Sequence, residues 1–457
     1  MFEHSAAQSA NRRKSSARLI VLVTLALLGV LPMTAFPEVI VHPARDFRPL
    51  PPQLAQQWLS ESAGDATFER RPHGFAWISD IEHVVMPIGK EPAREYPKEG
   101  PYYMASAKPA TYMCGATIPA GRYFELFPYH YYAKEEEQLL GGRISYKLIA
   151  VNRTDKPVTL QISGQGTTCD WDHFKAWEGA LRGDKKQTIV IQPGQTATLW
   201  EERALEGDLP WSGIFLGCAD GDLWVCDYTW YGEKDPGIAQ AEQMPDLALP
   251  PTLWPSYTRG TADWIAADVY IFPKRRDATA RLPLSKVPDG VYSFAFAASP
   301  GGPLDKPCEY MVRPNTFKDD TYPVTDPLSG QTHLFFGGNY PVMYEFALPL
   351  ANDTASTRTV EFFLCSNDKL KVDTLAGVWM QGKMMWRRVP MVGNNSHWNV
   401  WSATLAPGAK TEARMTIVPL GSRWGGMIGS LAVSAPGPAN KAPAEASQPA
   451  KPVQSSQ

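Results

Sequence analysis

The chain has no surplus of charge. Its 457 residues carry 44 basic and 47 acidic side chains, a formal net charge of -3. Nucleic-acid binding leaves a basic footprint, so no nucleic acid is expected as a partner. Cysteine is sparse, six residues in all, and none has the close paired spacing of a zinc site. Signatures of catalysis are missing as well. There is no G-x-S-x-G elbow, phosphate-binding loop, H-E-x-x-H or dinucleotide fingerprint. No cofactor is implied. Carboxylate pairs stand at Asp170/Asp172, Asp220/Asp222 and Asp319/Asp320, and each reads most simply as a cap or a turn. A glycosidase sets two carboxylates across a cleft. A hydrolase of envelope polysaccharide, with carboxylates between two domains, is therefore the alternative reading.

Long apolar runs are absent with one exception. Arg12, Arg13, Lys14 and Arg18 precede an apolar run over 19–31, closed by Pro32. A basic region followed by a run of this length is a secretory signal pattern. It is short for a membrane span, which needs ~20 apolar residues. Met33-Thr34-Ala35 offers a cleavage site, and cleavage is expected after Ala35. Membrane contact arises only through this segment if it stays uncleaved. The expected location is extracytoplasmic: secreted, periplasmic or cell surface. There Cys114, Cys169, Cys218, Cys226, Cys308 and Cys365 meet an oxidising environment, and disulfides are expected. Cys218 and Cys226 flank Asp220-Gly221, a two-residue hairpin signal. In that hairpin the two thiols point to opposite faces and do not bond.

Against these absences stand 15 Trp, 41 Pro and 36 Gly. Such a composition suits many short strands joined by turns. The clearest helix signal lies in 164–183, GQGTTCDWDHFKAWEGALRG, between strands expected at 158–163 and 188–199. Asp170 is the expected cap, and Arg182 with Gly183 forms the stop. Phe174, Trp177 and Leu181 make one apolar stripe. A helix this short is marginal alone, so it must lie on a sheet.

Two halves of the chain repeat one pattern. YKLIAVNRTDKPVTLQI in the first is answered by VMYEFALPLANDTASTRTVEFFL in the second. VIQPGQTATLW is answered by TLAPGAKTEARMTIV, with Pro407-Gly408 in place of Pro193-Gly194. The expected fold is all-β: two tandem immunoglobulin-like β-sandwich domains, with one short helix inserted in the first. The expected boundaries are a signal peptide over 1–35, a Pro-rich segment over 36–74, sandwiches over 75–250 and 251–433, and a disordered Pro/Ala/Ser tail over 434–457.

Each half inserts an aromatic-rich element at the same point. The first carries Trp171 and Trp177 on its helix stretch. The second carries Trp379, Trp386, Arg387, Trp398 and Trp401 within 366–401. These seven are the candidate binding residues, since Trp and Arg stack on sugar rings and anchor protein contacts. Cys169 and His173, four apart, resemble part of a metal site. Met384 with His397 offers soft ligands for copper, so a copper-handling exported protein is a further alternative. The plainer reading of these Met and Trp residues is packing. The leading expectation is a non-catalytic exported protein that binds glycan or an envelope protein.

Taken in order, YKLIAVNRTDKPVTLQI, the Gly-flanked helix, VIQPGQTATL, GIFLGCADG, RGTADWIAADVYIFP, HLFFGGNYPVMYEF and TLAPGAKTEARMTIVPLG resemble a family of uncharacterised exported bacterial β-rich proteins. Some members carry an appended stalk domain like the N-terminal domain of copper amine oxidases. The likeness spans roughly 75–433, and no stalk domain is evident here. It implies export and a β-rich fold, and it brings no activity and no site residues.

Overall fold

Runs rich in β-branched and aromatic residues, broken by polar and Pro-Gly turns, form strands through most of the described residues. A computed structural model describes residues 39–42, 66–81, 109–132, 134, 137–138, 141–243, 257–271, 281–286, 290–296, 322–325, 330, 332–335, 343–366, 374–380, 383–389, 397–418 and 427–434. The signal segment over 1–35, the domain break near 248–255 and the tail beyond Ser434 lie outside the described residues.

The chain opens with β1 (Val39–His42) and β2 (Ala66–Ile81). There follow β3 (Ala110–Ile118), β4 (Tyr123–His130), β5 (Ile144–Val151) and β6 (Val158–Thr168). Helix α1 (Phe174–Arg182) comes next. Then come β7 (Gln187–Ile191), β8 (Thr196–Glu202), β9 (Trp211–Ala219), β10 (Leu223–Tyr231) and β11 (Ala241–Gln243). The second half holds β12 (Tyr257–Ile271), β13 (Leu282–Pro283), β14 (Gly290–Phe296), β15 (Tyr322–Thr325) and β16 (Thr332–Phe335). It closes with β17 (Met343–Ala351), β18 (Arg358–Ser366), β19 (Thr374–Met380), β20 (Lys383–Val389), β21 (His397–Leu405), β22 (Lys410–Val418) and β23 (Met427–Ser434).

The fold is all-β, built as two tandem sandwiches with α1 inserted in the first. In the first, β4-β9-β6-β7 faces β11-β3-β10-β5-β8. Phe124, Leu126, Leu160, Phe215, Leu148, Ile118 and Val225 fill the space between. In the second, β14-β23-β18-β21 repeats the order β4-β9-β6-β7, and β17-β22 repeats β5-β8.

The repeat extends to register. Val151 opposes Thr196 and Ala351 opposes Lys410. Val158 opposes Ile191 and Arg358 opposes Leu405. Leu160 opposes Ala219 and Val360 opposes Val433. One hydrogen-bond pattern pins both copies. Asn152 Nδ2 donates to the carbonyls of Lys156 and Ile191, and its Oδ1 accepts from the Thr154 N–H and hydroxyl. Asn352 does the same with Ser356, Leu405 and Thr354. Gly194 N–H donates to the Asn152 carbonyl, and Gly408 N–H to that of Asn352. Each Asn ties a strand start to the Pro-Gly turn, which carries the chain from one sheet to the other.

The sandwiches are welded. β12 pairs with β2 over their whole length, β2 pairs with β4, and β12 pairs with β17. One thirteen-stranded sheet thus runs from β20 to β7. The segment read as a Pro-rich approach contributes structure of its own: β2 begins at Ala66, and β1 adds an edge strand to β21.

Two expectations need correction. Asp220-Gly221 is not a hairpin turn: β9 pairs with β4 and β6, while β10 pairs with β3 and β5. The turn passes the chain between sheets, held where the Thr159 N–H donates to Asp220 and the Ala120 N–H to Asp222. Cys218 and Cys226 are parted by sheet rather than by hairpin face. The expected disulfides are also absent where thiols are described. None of Cys114, Cys169, Cys218 and Cys226 is bridged. Cys114 packs between the sheets, whereas Cys226 packs on the outer face of the same sheet. Cys308 and the side chain of Cys365 lie outside the described residues.

Candidate functional site

The helix stretch begins as a strand. β6 runs through Thr168, so Gly164 and Gly166 belong to the sheet. α1 then folds back over this strand. A Cβ at Gly164 would meet the Ala180 carbonyl oxygen at 2.0 Å, and one at Gly166 the Ala176 oxygen at 1.9 Å. Only glycine lets the helix backbone lie this close. Ala176 and Ala180 are its buried small residues. Gly183, with φ 67°, ends the helix as expected, its N–H donating to the Ala180 carbonyl.

The helix start differs from the expectation. Its cap position is His173, and Asp170 instead closes a turn by accepting the Asp172 N–H at 2.7 Å. Lys175 Nζ reaches Asp170 at 2.6 Å. Burial works to raise the Asp170 carboxyl, but Lys175, the Asp172 N–H and Thr168 hold it below its ordinary range.

This turn projects Trp171, which is 60% exposed. Its ring lies 5.6 Å from that of Tyr131, tilted by 45°. Tyr131 donates to Asp208 at 3.0 Å. Beside it, His173 packs edge-on to Tyr129 and stacks on Phe174. Here the second insert arrives. Arg388 on β20 donates to Asp172 Oδ2 at 2.8 Å and lies 4.8 Å from the centre of the Phe174 ring. The two inserts therefore meet, although they pack differently: α1 covers the outer face of β6 and β9, and β19-β20 extends the sheet beyond β22.

Two of the expected binding residues are withdrawn from that surface. Trp177 is fully buried and Trp401 is buried, both in the cluster that joins α1 to the second core. Trp386 is half-buried against the same cluster. Arg387 is half-buried on β20. Trp379 lies on β19 and Trp398 on β21, with side chains outside the described residues. Of the expected binding residues whose side chains are described, Trp171 alone presents a large exposed ring.

Cys169 and His173 do not share a helix face, because the helix starts after both. Cys169 packs against the first sandwich core, while His173 faces Tyr129 and Phe174. Burial, then Glu202 and Asp170, push the Cys169 thiol up to about 12, opposite to the needs of a thiolate ligand. Met384 packs across its hairpin: a side chain at Gly377 would lie 2.9 Å from the Met384 sulfur and 2.9 Å from the Trp386 ring. His397 lies on β21, its side chain outside the described residues. Among the described residues, no three His, Cys, Asp or Glu side chains converge as a metal site.

Sequence reasoning overlooked two buried polar sites. His130 Nε2 lies 2.8 Å from Asp227 Oδ2, both side chains fully buried. Asp227 also accepts the Cys114 N–H at 2.9 Å and the Tyr146 hydroxyl at 3.4 Å. This cluster clasps one sheet to the other. The second is Glu125 on β4, fully buried, with no hydrogen-bond partner for either oxygen among the described residues. Burial holds its carboxyl well above the usual range, which favours the neutral form. The signal for the first was present in its strands, where His130 and Asp227 stand at inward positions; Glu125 lies between the inward Phe124 and Leu126, on the other face of β4.

No family model and no curated relative matches the chain. Among solved structures, the PBSX exported protein XepA is 12% identical, with a TM-score of 0.15, covering 77% of this chain and 98% of its own. The 7S globulin of Momordica charantia is 4% identical, with a TM-score of 0.13, covering 69% and 71%. The salicylate 1,2-dioxygenase of Pseudaminobacter salicylatoxidans is 10% identical, with a TM-score of 0.12, covering 92% and 94%. At TM-scores this low the likenesses assign neither a fold family nor a chemistry to this chain.

Proposed function

We infer that this chain is a non-catalytic exported protein of the cell envelope or extracellular space, and that it binds glycan or another protein where its two inserts meet. The observation that carries the reading is Trp171. A large ring left 60% exposed, on a turn fixed by Asp170 and Lys175, is a ready stacking platform. Tyr131 extends it, and Asp208, Asp170 and Arg388 supply polar groups around it. The turn stands on a rigid double-sheet scaffold, where binding loops are best supported. The basic and apolar N-terminal stretch supports export.

The test is retention on cell-wall polysaccharide and a glycan array, comparing the wild type with Trp171→Ala. A stacked Trp contributes roughly 1.4 kcal/mol, so about tenfold weaker binding is expected. Binding that Trp171→Ala leaves untouched would end this reading, and no binding on either format would end its glycan form.

A further inference from the structure

The internal repeat sets one strand of the first sandwich apart from its counterpart in the second. In the second sandwich β21 is not an edge strand, because β1 pairs with it antiparallel: Val39 with Leu405, Ile40 with Thr404, Val41 with Ala403 and His42 with Ser402. Its counterpart in the first sandwich is β7. The Asn network fixes the match, since Asn352 donates to the Leu405 carbonyl and Asn152 to that of Ile191. Among the described residues β7 pairs with β6 alone and ends the thirteen-stranded sheet. The consequence shows in burial. Ala403, paired with Val41 of β1, is fully buried. Its counterpart Ile189 is only partly buried against the first core, and Val190 beside it is 57% exposed. No charged residue blocks the edge between Gln187 and Ile191, although exposed edges usually carry such a guard.

We propose that the free edge of β7 is a β-augmentation site for an extended segment of another protein. The occupant is a strand with branched apolar residues at two alternate positions, docked antiparallel as β1 docks on β21. Main-chain hydrogen bonds supply the attraction, and the inward side chains cover Ile189 and Ile191. The match of the two copies sets the register: the positions held by Val39, Ile40, Val41 and His42 fall opposite Ile191, Val190, Ile189 and Thr188.

The probe is a synthetic peptide of residues 38–43, Glu-Val-Ile-Val-His-Pro, added to the full chain. Hydrogen exchange followed by mass spectrometry reads the outcome. The expected result is saturable protection of the amides in 187–191, slowed about tenfold at saturation, a shift of ~1.4 kcal/mol. Ile189→Lys abolishes it by placing a charge at the docking position. A peptide with Val39→Lys and Val41→Lys fails as well, and that control leaves the protein intact. Protection confined to 402–405 would mean displacement of β1 and overturn the proposal. So would protection, in the chain alone, of those amides of 187–191 that point away from β6, or self-association that protects them without peptide.

Discussion

Asn152 and Asn352 occupy equivalent places in the two sandwiches and make the same hydrogen bonds there, each with its side chain sealed from solvent. Each closes a polar turn, binds its neighbouring Thr and holds the strand that enters the Pro-Gly turn. Replacing either by Ala leaves two backbone carbonyls without their donor. The expected loss is about 2–4 kcal/mol in each case, read as a shift in urea midpoint. Near-equal losses at the two positions are the signature of duplication; a loss at one alone contradicts it.

Gly166→Ala tests how α1 is seated. The new methyl group meets the Ala176 carbonyl oxygen at 1.9 Å, and backbone there has no rotamer to yield. We expect about 2–3 kcal/mol of destabilisation, with proteolysis rising first within 169–183. Unchanged stability would mean that the helix does not rest on β6.

The contact between the inserts is open to a double-mutant cycle. Asp172 and Arg388 are each about one-third exposed, so solvent screens their attraction. A coupling of roughly 0.3–1 kcal/mol is expected between Asp172→Asn and Arg388→Gln, diminishing at high salt. A coupling of zero would separate the two inserts.

Glu125 gives the molecule a pH dependence of known sign. Its carboxyl titrates higher in the folded chain than in the unfolded one, because burial disfavours the charge. The stabilisation is complete below the unfolded value and is lost as pH rises toward the folded one. Glu125→Gln removes this slope. The variant is expected to melt with the wild type near pH 4 and above it at pH 8. Parallel melting curves across that range would show that Glu125 is ionised in place.

The sandwich pair, the repeat and the stop at Gly183 were legible because each rests on local chemistry. Alternation marks strands, Asn and Pro-Gly mark turns, and glycine marks a left-handed residue. What escaped depends on partners far along the chain. Asp220-Gly221 has a hairpin sequence, yet β9 and β10 find partners in different sheets. Gly164 and Gly166 read as helix flanks, yet they are the floor on which the helix lies. Trp177 and Trp171 share a composition signal, and nothing within a few residues of either tells the buried ring from the exposed one. The joining of β2 to β12 has no local signature at all, since it pairs residues almost two hundred positions apart.

That joint has a mechanical meaning. Sandwiches linked by a loose tether swing independently, and each can be excised. Here the same sheet passes through both, so the pair acts as a beam rather than a hinge. Severing the chain between the halves would strip β2 from β12 and bare a long sticky edge on each fragment, so the halves should fail as separate products. A load or ligand taken up at one end of the beam would turn the other end with it.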